Sequence, residues 1–111
     1  MQPKISVLIS AYNSEKTICT LLKSLLLNSI AKDCQFIIVD DSSTDKTYEV
    51  IKDFIYSYND LDIEFYKNRK NLGIGATRKK LLSLATGKYF IFCDSDDYVE
   101  KTYLEDLYEV A

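Results

Sequence analysis

The stretch "KISVLIS", residues 4 to 10, carries apolar side chains at successive positions as well as alternate ones: Ile5, Val7, Leu8 and Ile9. A strand with one wet face alternates; a strand covered on both faces, as in a parallel sheet, reads as a near-continuous apolar run. The run ends in the polar "SAYNSE". Ile18, Leu21, Leu22, Leu25 and Leu26 then recur at the i, i+3, i+4 spacing of a helix with one apolar stripe. That helix is expected to start from Ser14, with Ser14 or Asn13 as its cap.

The strand-then-helix unit recurs. "CQFIIVD", residues 34 to 40, is a second buried strand, and "DSSTDKT" opens a helix with Val50, Ile51, Phe54, Ile55 and Tyr58 on its core face. "LDIEFYK", residues 61 to 67, alternates more and is expected nearer a sheet edge. "NRKNLGIG" leads to a third helix with Leu81, Leu82 and Ala85 inward and Gly87 as its C-cap. "KYFIFCDSDDYV", residues 88 to 99, contains the fourth strand, and a fourth helix from near Val99 would bury Tyr103, Leu104, Leu107 and Tyr108. That helix has no stop signal before Ala111, so the chain is expected to be an incomplete functional unit.

Four alternations predict an α/β fold: a parallel sheet with helices on both faces. Ligands of such sheets bind beyond the carboxyl ends of the strands, where the strand order reverses. Three polar clusters fall at strand ends: Ser10 to Asn13, Asp40-Asp41, and Asp94 to Asp97. They converge only if strand 1 lies between strands 2 and 4, which predicts the order 3-2-1-4.

Composition narrows the chemistry. At 111 residues the chain is one domain, and a net charge of −3 argues against nucleic acid as the partner, since phosphate-binding surfaces carry a basic excess. Cys19, Cys34 and Cys93 lie in apolar contexts without CxxC pairing, and there is no histidine. A zinc site and Ser-His or Cys-His catalysis are therefore not expected. No stretch approaches the length of a membrane span and no signal-type segment opens the chain, so a cytoplasmic location is the default expectation.

Asp94-Ser95-Asp96-Asp97 sets three carboxylates after a buried strand. One could cap a turn; three together suit a divalent cation, Mg²⁺ or Mn²⁺, whose oxygen shell carboxylates share with substrate phosphates. Asp40 and Asp41 could support the turn before helix 2, or accept from a nucleobase or ribose hydroxyl. Arg78, in the first turn of helix 3, points at the strand ends, where it could bridge to Asp40 or Asp41 or contact a base or phosphate. "GIGATR", residues 73 to 78, has Arg78 where a dinucleotide fingerprint needs its third glycine, so its glycines are read as serving a tight loop near a ligand.

Four segments in order, "VLISAYNSE", "IIVDDSSTDKT", "NLGIGATR" and "GKYFIFCDSDD", resemble the family 2 glycosyltransferases of the GT-A, Rossmann-like fold. The resemblance implies the donor-binding half of an inverting, metal-dependent enzyme that uses a nucleotide-diphosphate sugar, with UDP-sugar expected. Ser10, Ala11, Tyr12 and Asn13 would line the nucleotide pocket, Asp41 would accept from the base with Arg78 and Asp40 nearby, and Asp94 and Ser95 would approach the ribose and diphosphate. Asp94, Asp96 and Asp97 would serve the metal. The chain departs from many members at Ser10, where they carry Pro, and at Thr77 and Lys79, where they carry Ala and Asn. The catalytic base and the site for a saccharide or lipid-linked acceptor are expected beyond residue 111, with peripheral membrane attachment open for a longer parent. Residues 1 to 111 alone are therefore expected to be inactive and prone to self-association.

Three other readings compete. "DSDD" also resembles the nucleophile motif of haloacid-dehalogenase-like phosphatases, which carry it on their first strand, and "IIVDD" resembles a receiver domain, which also places its acids on the first strand. A nucleotide-binding or interaction remnant without turnover is the non-enzymatic alternative.

Overall fold

The computed structural model describes residues 2–111. Its elements are β1 (Ile5–Ala11), α1 (Ile18–Leu26), a short 3₁₀ turn (Ala31–Asp33), β2 (Cys34–Asp40), α2 (Thr47–Ile55), β3 (Asp62–Lys67), α3 (Ile74–Leu84), β4 (Tyr89–Asp94) and α4 (Tyr103–Val110). The strands form one parallel sheet in the order β3-β2-β1-β4, as the convergence of polar strand ends required.

The sheet has core on both faces, which explains the unbroken apolar runs. Ile5, Val7 and Ile9 of β1 and Phe36 and Ile38 of β2 face α1, α2 and α4, where Ile18, Leu21, Leu22, Leu25, Ile51 and Leu104 are buried. Leu8, Ile37 and Val39 face the other way onto Leu81 of α3. Each fully buried Leu or Ile contributes roughly 1.5–3 kcal/mol relative to exposure, so the five-residue stripe of α1 is a major source of stability. At the edge, β3 is more exposed than the two central strands, in line with its alternating sequence.

Local expectations fare less evenly. Helix α1 starts at Ile18 with Thr17 at the cap position, not at Ser14, and no side chain caps it. The Asn13 side chain is engaged elsewhere: its Oδ1 accepts from Thr44 N at 2.8 Å and Asp45 N at 3.4 Å. Leu82 is 41% exposed and the partly buried Leu84 packs against the Leu81 cluster in its place, while Ala85 packs there as expected. Helix α4 begins four residues later than expected, at Tyr103 rather than Val99.

Gly87 is not a helix cap. A Cβ there would lie 2.6 Å from Ser6 N and 2.7 Å from Ser6 Oγ, so glycine is needed for close approach of the α3–β4 turn to β1. Gly87 N donates to Ser6 Oγ at 2.8 Å, Ser6 Oγ donates to Gln35 Oε1 at 2.6 Å, and Thr86 N donates to the same oxygen at 2.9 Å. This knot fixes where β4 starts beside β1 and hence where it ends.

Candidate functional site

Strand register assembles the site. Ser10 pairs with Asp94 on one side of β1, and Ala11 pairs with Asp40 on the other. The loops after β1, β2 and β4 thus leave the sheet together and enclose a cleft of about 560 Å³. Ser10, Ala11, Tyr12 and Asn13 form its floor and rim, Asp41 stands on one wall, and Asp94, Ser95 and Asp96 stand on the other.

The Asp41 wall is tightly determined. Asp41 Oδ1 accepts from Leu72 N and Asn68 Nδ2, both at 2.8 Å, and Oδ2 accepts from Gly73 N at 2.9 Å. Gly73 has φ +89°, a left-handed backbone that favours glycine and lets the 68–73 loop turn its N–H groups onto the carboxylate. Burial pushes the Asp41 carboxyl upward, but the hydrogen bonds from Leu72, Asn68, Gly73 and Thr77 together outweigh it and hold the group below its ordinary value.

Asp40 lies beneath this wall, fully buried and not on the cleft. Its carboxylate accepts from Ser43 N at 3.3 Å and from the Ser43 hydroxyl, which makes it the support of the turn before α2. Ser42 and Asn13 both have positive φ, 59° and 47°, where these two loops bend toward each other. Asn13 N donates to Ser43 Oγ at 2.9 Å and Ser14 N to Thr47 Oγ1 at 2.8 Å, so the floor and the Asp41 wall are knit into one body.

The opposite wall is open. Asp97 N donates to Asp94 O at 3.1 Å to close a turn, and Asp94, Asp96 and Asp97 are all exposed. Arg78 Nη2 lies 3.4 Å from Asp94 Oδ1, with the two side chains 43% and 63% exposed. The guanidinium sits 5.0 Å over the Phe92 ring. Arg78 therefore pairs with Asp94 and not with Asp40 or Asp41, and it does not line the cleft. Behind the turn, burial pushes the Cys93 thiol up to about 12, with Asp97 and Asp94 adding to the shift, so this cysteine is a packing group.

Asp94 and Asp96 border the cleft, whereas Asp97 does not. Among the described residues no three Asp, Glu, His or Cys side chains converge, so the structure gathers two carboxylates where three were expected to share an ion. Two are too few to hold a divalent cation alone and suit one that arrives with phosphate oxygens.

Ser14, Thr17, Asn71, Gly73, Ile74 and Thr77 also line the cleft; none is among the expected site residues, although the sequence marks Ser14 as a helix cap, Gly73 as part of a tight loop near a ligand and Thr77 as a departure from the family pattern. For Gly73 and Asn71 the glycine-bearing loop "NLGIG" was the available signal. Thr77 offered another, a polar residue on the inner face of α3, fully buried and receiving Asn68 Nδ2 at 3.2 Å.

The model of the family described as "Glycosyl transferase family 2" matches residues 6–111. The chain belongs to glycosyl transferase family 2. This family 2 chain is 39% identical over 108 residues to the cholesterol galactosyltransferase of Borreliella burgdorferi, covering 97% of itself and 29% of that protein. It is similar to Staphylococcus aureus TarS 1-349 in complex with UDP-GlcNAc, with TM-score 0.84 and 37% identity over 94% of this chain and 30% of that one. A mannosyltransferase from Pyrobaculum calidifontis, solved with GDP-Man and Mn²⁺, shares the fold at TM-score 0.82 and 21% identity, covering 88% of this chain and 29% of that one. The chain spans between 15% and 33% of the length of the curated relatives it matches. Among the described residues no helix is long and apolar enough to cross a membrane.

Proposed function

We propose that residues 1–111 form the donor-binding half of a glycosyltransferase that takes a nucleotide-diphosphate sugar, a UDP-sugar first, and transfers the sugar with inversion. The observation that carries this is the cleft at the carboxyl ends of β1, β2 and β4, with a hydrogen-bonded carboxylate on one wall and an open pair on the other. The likeness to a UDP-GlcNAc complex at 37% identity supports the choice of nucleotide.

In this reading Ser10 to Asn13 and Asp41 hold the base and ribose, with the remaining acceptor capacity of Asp41 Oδ2, which also takes Gly73 N at 2.9 Å, turned to the ligand. Asp94 and Asp96 would hold Mn²⁺ or Mg²⁺ together with the donor's diphosphate. When bound, such an ion supplies Lewis-acid stabilisation of the departing nucleoside diphosphate. The acceptor oxygen attacks the anomeric carbon, the bond from that carbon to the β-phosphate oxygen breaks with its electron pair on the phosphate, and the hydroxyl proton passes to a general base. The acids lining the cleft, Asp41, Asp94 and Asp96, all have donor or metal roles, so that base comes from outside residues 1–111.

The same observation favours a second reading, in which this chain binds nucleotide without turnover. Calorimetry with UDP, GDP and ADP, with and without Mn²⁺, tests the binding half: UDP is expected to bind most tightly and only weakly without metal. Equal affinity with and without Mn²⁺ rejects the role given to Asp94 and Asp96. A labelled UDP-sugar assay on residues 1–111 then separates the two readings, and glycoside formation by this chain alone would reject the base assignment.

A further inference from the structure

Behind the Asp41 wall lies a buried amide whose two poles are both engaged. Asn68 follows β3 directly and is 3% exposed. Its main-chain N donates to Asp40 O at 2.9 Å, which carries the β2–β3 ladder to the foot of the wall. Its side-chain Nδ2 donates to Asp41 Oδ1 at 2.8 Å and to Thr77 Oγ1 at 3.2 Å, and its Oδ1 accepts from Lys80 Nζ at 3.1 Å. An ammonium only donates and an ionised carboxylate only accepts, so the amide has one orientation, oxygen toward Lys80 and nitrogen toward Asp41. Thr77 closes the set, accepting from Asn68 while its own hydroxyl donates to Asp41. The Ala that many family members carry in place of Thr77 could not make this link.

The bases that such a carboxylate would have to tell apart explain why it needs bracing. Uracil presents a donor at N3; cytosine presents a bare acceptor at N3 and a donor on the neighbouring exocyclic N4. Both therefore offer an N–H to a carboxylate, one ring position apart. An acceptor that can rock reaches either. One clamped to the geometry of uracil meets the N3 lone pair of cytosine instead, and two acceptors are left facing each other. Leu72 N and Gly73 N hold Asp41 from a loop that turns through a left-handed glycine. Asn68 and Thr77 hold it from the end of β3 and from α3, the regular elements beside the wall.

We propose that Asn68, braced by Lys80 and Thr77, is a specificity-determining positioning residue: it fixes the Asp41 carboxylate in the tilt that accepts from an imide N–H and rejects a pyrimidine whose donor lies one position away. Asn68 does not line the cleft and acts only through Asp41. The inference rests on the nucleotide-binding reading above and deepens it.

Calorimetry of UDP and CDP in excess Mn²⁺, on this chain and its variants, is the test, and the quantity read is the ratio of the two affinities. A destabilised variant loses binding-competent protein for both nucleotides alike, so a purely structural role would leave the ratio where it was. The parent is expected to favour UDP by about 30-fold or more. Asn68→Ala should lower that ratio about tenfold. Thr77→Ala, which installs the residue many family members carry, and Lys80→Met, which keeps the apolar stem and drops the ammonium, should each lower it about threefold, and these two decide the matter if Asn68→Ala does not fold. A parent that binds neither nucleotide, or both alike, rejects the nucleotide reading and this inference with it. A preference for UDP that persists unchanged in the variants overturns this inference alone, and would show that Leu72 N and Gly73 N suffice to fix the carboxylate.

Discussion

Asp41 and Asp94 stand at the ends of the two strands that flank β1, yet one is locked and the other is open. Asp41 is 5% exposed and accepts three hydrogen bonds from the loop that starts α3. Asp94 has a 63% exposed side chain and an ion pair at 3.4 Å. A carboxylate held by neutral donors is fixed before any ligand arrives, as a shape-reading wall requires. One held by a single exposed cation can exchange that cation for another. The contrast separates a role in the fold from a role in charge exchange, and substitutions on the two walls should differ accordingly.

The largest effect is expected from Asp41→Ala. Hydrogen bonds to a charged group contribute roughly 1.5–3 kcal/mol each, and the freed N–H groups can recover part of this from water, so a loss on the order of 3 kcal/mol follows. Urea denaturation should show a lower midpoint at unchanged slope, and UDP binding should fall with it. A variant as stable as the parent would show that the 68–73 loop does not depend on this carboxylate.

The next effect depends on pH. The Asp41 carboxyl is held below its ordinary value of 3.8, so the folded state favours the ionised form. Its contribution is complete above that ordinary value and is lost as pH falls through the lower folded value. The stability gap between parent and Asp41→Asn should therefore be full at neutral pH and close only below the ordinary carboxylate range. A gap that closes near neutrality would point to a different group.

On the open wall, Asp96→Ala should change stability by less than about 0.5 kcal/mol, as exposed substitutions do. It should nevertheless remove the enhancement of UDP binding by Mn²⁺. That split between stability and metal response inverts the behaviour of Asp41, and a metal response unchanged in the variant would remove Asp96 from the ion's shell.

What could be read from residues follows the range of the forces involved. Apolar runs and helical stripes record which face is buried, so β2 falls on Cys34–Asp40 as expected, and the sheet order follows from polar ends that must converge. Caps and partners depend on chain segments far apart in sequence. Asn13 looks like a cap until the loop 31 residues on brings Thr44 N to its oxygen. Gly87 looks like a helix terminator because sequence does not show Ser6 pressed against it. Asp40 and Asp41 are adjacent and identical, and only the fold turns one inward to Ser43 and the other to the cleft.

The smallest effect on ligand binding is expected at Arg78. Its ion pair with Asp94 is exposed on both sides, and such pairs contribute about 0.2–1 kcal/mol and weaken with salt. Arg78→Ala should therefore lower stability by at most about 1 kcal/mol, including the stacking on Phe92. Its effect on metal binding should have the opposite sign. In the parent, an incoming cation must displace the guanidinium from Asp94, and in the variant that competitor is gone. With UDP present, Mn²⁺ should bind Arg78→Ala more tightly than the parent by up to about fivefold, the equivalent of 1 kcal/mol, and the difference should vanish at high salt. Titration of Mn²⁺ by calorimetry at two ionic strengths reads this directly. Weaker binding in the variant would mean that Arg78 positions Asp94 for the ion instead of competing with it, and the open wall would then be as constructed as the closed one.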